Sequence, residues 1–181
     1  MNFSSEIIDK LKFPLGKFSG KEVFNMDDLN NIIKSIENLP ALLRCAIEKL
    51  NEKQLNTSYR PGGWTLRQII HHVADSHING YVRFKVTLTE DMPSIKTFRQ
   101  DSWAHLFDSH TAPIELSLNL LENLDQRWII LMRSMTEQDF NKQLFHPEIG
   151  ITKLGKIGEW YAWHGLHHAA QIRLFRQLMK W

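Results

Sequence analysis

The sequence has little cysteine and no long apolar run, and each shortage excludes a class of protein. Its 181 residues include one cysteine, Cys45, so no internal disulfide can form, which fits a reducing compartment. The longest purely apolar stretch, about Trp128 to Met132, is far shorter than the roughly 20 residues of a membrane-spanning helix. The N-terminus has no basic start followed by an apolar run, so a secretory signal is not expected. We therefore expect a cytoplasmic protein without a membrane segment.

The charge and the organisation of the chain limit the expected partners and the number of domains. The formal net charge is +2, and no cluster of Lys and Arg is interleaved with aromatic residues, so nucleic acid is not expected as a partner. Neither a long polar linker nor an internal repeat divides the chain, which predicts one domain over residues 1–181. That length is sufficient for a full hydrophobic core. Pro14, Gly16 and Gly20 lie among scattered aromatic residues, so residues 1–25 are predicted to form an extended arm on the domain.

Apolar residues recur with helical spacing in four segments. Thr65 and Gln68 form a capping-box pattern that starts the second helix, and Pro40 should kink the first. No alternating run indicates a strand, so the sequence predicts an all-α, antiparallel four-helix bundle. The connection over 91–112 is long for a purely structural loop, and it would allow a less simple helix order. The predicted helices run, approximately, over 29–50, 65–90, 113–135 and 153–179, with a short helix between Arg99 and Phe107.

Two histidines on the last helix have the spacing of metal ligands. His164 and His168 are four residues apart on the apolar stripe, so both imidazoles point inward on one face. Two core histidines satisfied by hydrogen bonds would give the same pattern, and spacing alone leaves both interpretations open. Gly165 stands where the His-Glu-x-x-His metalloprotease motif would have glutamate. A third ligand would come from helix two, where the helical wheel favours His77 and does not select His72.

Four stretches of the sequence form recognisable motifs: YRPGGWTLRQIIHHVADSH at 59–77, WHGLHH at 163–168, FPLGKF at 13–18 and the loop around Trp103. They resemble the YfiT branch of the DinB superfamily, and the likeness covers nearly the whole chain. The resemblance implies a four-helix bundle with an extended N-terminal arm and three metal-binding histidines, which here are His72, His164 and His168. It also implies a homodimer. Imidazole ligands suit zinc or nickel, and iron or manganese as well, so one divalent metal per chain is expected without its identity.

The resemblance implies a metal-dependent enzyme acting on a small molecule. Three imidazoles leave a coordination position open, which favours a hydrolase that uses metal-activated water. The same position would suit a thiol S-transferase that uses a metal-bound thiolate of bacillithiol or a similar thiol. No sequence feature separates these two hypotheses. A third hypothesis, of another class, is a metal-binding helix bundle without enzymatic activity.

Other residues near these motifs have more than one interpretation. His77 and His167 are predicted not to be metal ligands; for His77 a buried hydrogen-bonded role is favoured over an acid or base in the site. Asp75 and Glu159 would orient ligand histidines or be solvated helix residues. Trp64 and Trp103 would be core residues or walls of a pocket.

The only thiol is not predicted to act as a nucleophile. Cys45 lies among apolar residues of helix one and is predicted to be buried, and the sequence contains no Gly-x-Ser-x-Gly turn. Leu116 and Leu120 belong to an excess of apolar residues around helix three, which favours a second buried surface and hence a homodimer. The alternative is that the N-terminal arm covers this surface.

Overall fold

Four long helices frame the protein, and short helices and one hairpin connect them. The computed structural model describes residues 3–181, and no helix in that range is long and apolar enough to cross a membrane. The all-α prediction is confirmed, since the only sheet found there is a two-stranded hairpin. The elements are α1 (Ser5–Lys12), α2 (Met26–Ile47), α3 (Glu52–Leu55), α4 (Leu66–Thr89), α5 (Gln100–Ala104), α6 (Phe107–Thr111), α7 (Ile114–Arg133), α8 (Glu137–Phe140), β1 (Gln143–His146), β2 (Gly150–Lys153) and α9 (Leu154–Met179).

The bundle has two parallel and two antiparallel pairs of neighbouring helices. Helix α2 packs against α7 and α9, and α4 packs against the same two helices, so α2 and α4 lie diagonally across the bundle. Residue numbers rise together across α2–α9 and α4–α7 and oppositely across α2–α7 and α4–α9. The parallel pair α2–α9 is shown by the contacts Ile32–Gly158 and Leu39–Gly165, and the parallel pair α4–α7 by His71–Ser117 and His77–Asp125. The antiparallel pair α2–α7 is shown by Arg44–Glu115 and Glu37–Arg133, and the antiparallel pair α4–α9 by His72–His164 and Arg83–Tyr161.

The parallel arrangement of α4 and α7 explains the long connection over 90–113. The chain leaves the C-terminal end of α4 and must return along the whole bundle before α7 begins, and a helix of this length spans about 30 Å. We call this connection the crossover; it contains α5 and α6. The predicted antiparallel order therefore holds for two neighbouring pairs, and the less simple order that the connection allowed is the one observed.

Buried polar residues of α4 fix the crossover in place. Arg67 Nη1 donates to the carbonyl of Ala112 at 2.7 Å, and Gln68 Nε2 donates to the carbonyl of Ala104 at 2.6 Å. His71 Nε2 lies 3.2 Å from the same Ala112 oxygen. All three side chains are buried, so these contacts satisfy polar groups of α4 that are shielded from solvent. The capping box predicted at the start of α4 is present, with Thr65 and Gln68 bonded reciprocally.

Two segments differ from the prediction. The arm over 1–25 contains helix α1, which Ser4 caps and which anchors to the bundle through the fully buried Leu11; residues 1 and 2 of that arm lie outside the described range. The hairpin β1–β2 was not predicted. Each of its strands has four residues, and only Leu144 and Thr152 are buried at a paired position, so the alternating pattern is too short to be recognised.

Candidate metal centre

Three histidine side chains converge between α4 and α9, and we call them the tripod. His72 comes from α4, and His164 and His168 come from successive turns of α9. The Nε2 atom of His164 lies 3.1 Å from that of His72 and 3.1 Å from that of His168. One ligand nitrogen from each ring lies within 4.8 Å of the other two. The structure thus brings together the three residues that the resemblance implied as ligands.

The helical wheel favours His77, but His72 is the α4 histidine that lies beside His164 and His168, because α4 has no single inward stripe. Helix α4 contacts α9 on one side, α7 on another and the crossover helices on a third, so polar positions on its flanks are buried as well. His72 faces α9 and joins the tripod. His77 faces α7, where its Nδ1 lies 2.7 Å from an oxygen of Asp125. A wheel that assumes one apolar face cannot distinguish these two environments.

Hydrogen bonds among the three histidines cannot satisfy all of their Nε2 atoms. Burial lowers the pKa of His72 to about 3 and those of His164 and His168 well below the usual value, with neighbouring imidazoles adding to the effect. All three rings are therefore neutral at pH 7, and each Nε2 carries either one proton or one lone pair. His164 Nε2 faces two other nitrogens and can form a hydrogen bond with only one of them.

A divalent metal ion fits this donor set. Two nitrogens that bind zinc tetrahedrally at 2.0–2.1 Å are about 3.3 Å apart, close to the 3.1 Å separations in the tripod. Neutral imidazole is also the protonation state that metal binding requires.

Gln171 orients the imidazole of His168. Its Nε2 donates to the carbonyl of Lys12 at 3.1 Å, which directs Oε1 towards His168. Oε1 therefore accepts from His168 Nδ1 at 2.8 Å, so the proton is on Nδ1 and the lone pair of Nε2 points into the tripod. Gln171 was not among the residues predicted from the sequence. Its position three residues after His168, on the buried side of α9, was the available signal.

The two carboxylates considered for this role lie elsewhere. Glu159 accepts from the backbone N–H of Lys21 in the N-terminal segment at 2.8 Å. Asp75 is partly buried on α4, and burial, with a smaller contribution from the charge of Asp108, raises its pKa to about 6. Neither carboxylate forms a hydrogen bond with a tripod histidine in the described part of the chain.

Four partly exposed aromatic side chains surround the tripod, and we call them the aromatic rim: Trp64, Phe98, Trp103 and Trp160. The ring centroid of Trp64 lies 4.6 Å from that of His72, and Trp160 stacks on His164 at 4.6 Å. Phe98 lies 6.3 Å from His72, and Trp103 lies 5.1 Å from Phe98. Trp64 thus contacts the tripod as well as the hydrophobic core, and Trp103 is linked to His72 only through Phe98.

Comparisons with known proteins agree with this arrangement. A model of the DinB superfamily matches residues 35–172. The chain belongs to the DinB superfamily. Two Bacillus relatives, each named "Putative metal-dependent hydrolase", align with it over 174 residues, which is 96% of this chain and 100% of theirs. The protein of Bacillus cereus strain 03BB102 is 45% identical and that of Bacillus anthracis strain A0248 is 44% identical.

A solved structure has the same fold. It is YfiT from Bacillus subtilis, described as "a probable metal-dependent hydrolase with an unusual four-helix bundle topology". The TM-score is 0.92 at 40% sequence identity, and the alignment covers 95% of this chain and 99% of YfiT. The predicted resemblance is thus confirmed, and the crossover of this DinB chain accords with an unusual topology.

Two further histidines of the DinB chain lie outside the tripod. His77 is fully buried and hydrogen-bonded to Asp125, as the favoured interpretation expected, and burial raises the pKa of that carboxyl while His77 opposes the increase. His167 stacks on Trp163, and its Nε2 lies 3.0 Å from Gln171 Nε2.

The prediction that Cys45 is buried was wrong. Cys45 is exposed on α2, while Leu43, Ala46 and Ile47 face the core. One residue corresponds to about 100° around a helix, so Cys45 lies on the outer side although its sequence neighbours are apolar.

Proposed function

We propose that this chain is a metal-dependent hydrolase that binds one divalent metal ion through Nε2 of His72, His164 and His168. The observation that carries the proposal is the convergence of three buried, neutral imidazole nitrogens that hydrogen bonds cannot satisfy. A divalent metal on three neutral ligands supplies a Lewis acid and a source of hydroxide at neutral pH. The relatives' names and YfiT's description support this function and leave the substrate open.

The protein residues around the tripod prepare such a site. Within residues 3–181 the cluster consists of three histidines without Asp, Glu or Cys, so one position remains for substrate or solvent. Without a carboxylate ligand, the positive charge of the metal would be retained for catalysis. Gln171 fixes the tautomer of His168, and the aromatic rim limits access of bulk water.

The metal's identity and the assembly belong to the proposal too. An all-imidazole set suits zinc or nickel, and it also accepts iron or manganese. We propose a single-domain, cytoplasmic chain that forms a homodimer through the outer face of α7. Leu116 is 63% exposed, Leu120 46% and Ile130 69%. This is more exposed apolar surface than is expected of a helix face that contacts only solvent.

Elemental analysis of protein made without added nickel tests the metal site. We expect about one divalent metal ion per chain in the wild type and none in His164→Ala. His105→Ala is the control, because His105 is an exposed histidine of the crossover without contact to the tripod or to Gln171 in the described part of the chain. Full metal content in His164→Ala would contradict the site.

Activity assays then separate the reaction classes. The hydrolase proposal predicts cleavage of ester or amide substrates that stops with a chelator and returns with metal. Activity only in the presence of a low-molecular-weight thiol, with transfer to that thiol, would instead support the S-transferase hypothesis.

A further inference from the structure

We propose that the substrate has a flat, apolar body, such as an aromatic ring, joined to a carbonyl or anionic oxygen group. The apolar body lies against Phe98 and Trp103 of the crossover, and the oxygen group reaches the metal position of the tripod. The inference rests on the proposed metal site and adds the substrate class and the residues that select it.

Trp103 is exposed although its backbone is firmly held. Its indole is part of a side chain that is 38% exposed, on the short helix α5. The hydroxyl of Ser109 donates to the Trp103 carbonyl at 3.1 Å, and Gln68 donates to the carbonyl of the next residue, Ala104, at 2.6 Å. Ser109 and Gln68 are both buried. The crossover thus presents a large apolar ring to solvent from a fixed position, as a preorganised binding surface would.

The exposed ring is continuous with the tripod. The ring centroid of Trp103 lies 5.1 Å from that of Phe98, and Phe98 lies 6.3 Å from the imidazole of His72 at an interplanar angle of 29°. Trp64 contacts the same imidazole at 4.6 Å and His168 at 6.4 Å. A chain of aromatic contacts therefore connects the exposed ring of Trp103 with the imidazole of His72.

The charge at the tripod indicates which chemical group of the substrate reaches the metal position. The tripod holds three neutral imidazoles and, within residues 3–181, no carboxylate among its members. A divalent ion there would keep its full charge and would favour an oxygen donor that is anionic or electron-rich. A cationic or heavily hydroxylated substrate would lose hydration against the rim without gaining a partner. An aromatic acyl compound meets both requirements.

Binding of two hydroxamates to the cobalt(II)-loaded protein tests this inference without relying on turnover. Acetohydroxamate and benzohydroxamate present the same metal-binding oxygens and differ in a methyl or a phenyl group, and the visible absorption of cobalt(II) reports a change in its ligands. We expect benzohydroxamate to bind about tenfold more tightly, because one face of its ring is buried against the rim. Trp103→Ala should remove most of this preference, and Trp103→Phe should retain part of it.

The controls separate the two proposals. Phe107→Ala, which removes an 82% exposed ring of the same crossover outside the rim, should keep the tenfold preference. Acetohydroxamate affinity should be the same in all variants, which shows that the metal site is intact. Equal affinities for both hydroxamates in the wild type, or an unchanged preference in Trp103→Ala, would overturn the inference and leave the metal site standing. Failure of the wild type to bind cobalt(II) would overturn the proposed function and this inference with it.

Discussion

Replacing Gln171 by leucine should weaken metal binding although every ligand remains. Gln171 is 3% exposed, so water cannot take the place of its amide. The substitution removes the acceptor of the His168 Nδ1 proton, which lies 2.8 Å away. Without it, the imidazole can rotate or carry its proton on Nε2, which blocks coordination. Loss of such a partner typically lowers metal affinity about 10- to 100-fold, or about 1.4 to 2.7 kcal/mol.

The same substitution should also lower the free energy of unfolding of the metal-free protein, but by less than that of the metal-bound protein. The carbonyl of Lys12 at the end of α1 loses a donor at 3.1 Å, and an unsatisfied carbonyl costs about 1 kcal/mol or slightly more in the free energy of unfolding. At saturating metal, the loss of affinity adds to this cost, because metal bound only to the folded state stabilises it. The Gln171→Leu effect should therefore be larger with metal than without.

Competition with a chromophoric chelator measures the affinity, and urea unfolding with and without metal measures stability. Gln177→Leu is the matched control, since Gln177 lies exposed on the same helix. A change in affinity of less than about threefold for Gln171→Leu would refute the proposed orienting role. A loss of stability that is equal with and without metal would show that Gln171 acts only in attaching α1.

Four more predictions follow from individual side chains. Asp125→Ala should reduce the free energy of unfolding by about 3 kcal/mol in urea, because His77 loses its buried partner; a change below 1 kcal/mol would contradict that. Asp75→Asn should stabilise the fold at pH 7 by about 1 kcal/mol after allowance for solvent screening and have a much smaller effect at pH 4, which unfolding curves at both pH values can check. Cys45→Ala should leave chelator-sensitive activity unchanged in kinetic assays, and a folded but inactive variant would place the chemistry on the thiol. Leu120→Lys should convert a dimer to a monomer in light scattering, and a monomeric wild type would remove the basis for that dimer.

The sign of the Asp75 prediction follows from linkage. Its folded pKa of about 6 lies above the unfolded value near 3.8, so the folded state binds more protons between these values. The free energy of unfolding therefore decreases as pH rises from about 4 to about 6 and stays lower above that range. The asparagine variant lacks this titration, so its advantage should appear over the same interval. Stabilisation that is equal at pH 4 and pH 7 would assign the effect to packing instead.

The sequence predicted what depends on local periodicity and left open what depends on which helices are neighbours. The spacing of His164 and His168 placed both on one face of α9, and the structure has them there. His72 was implied only by family resemblance, because its selection depends on the packing of α4 against α9 instead of α7. Gln171 was missed for a related reason: a buried glutamine in an apolar stripe shows its role only when its partner on α1 is known.

The unusual helix order and the wall of the site are two consequences of one feature. Because α4 and α7 are parallel, the crossover must return along α4, past the turns that carry Arg67, Gln68 and His71. Those side chains are polar because they bind the carbonyls of the returning chain, and this is why α4 lacks a single apolar stripe. The same return brings Phe98 beside the imidazole of His72, with Trp103 packed against Phe98. A simple up-and-down bundle would join these helices by a short loop, and it would leave that side of the three histidines without a wall.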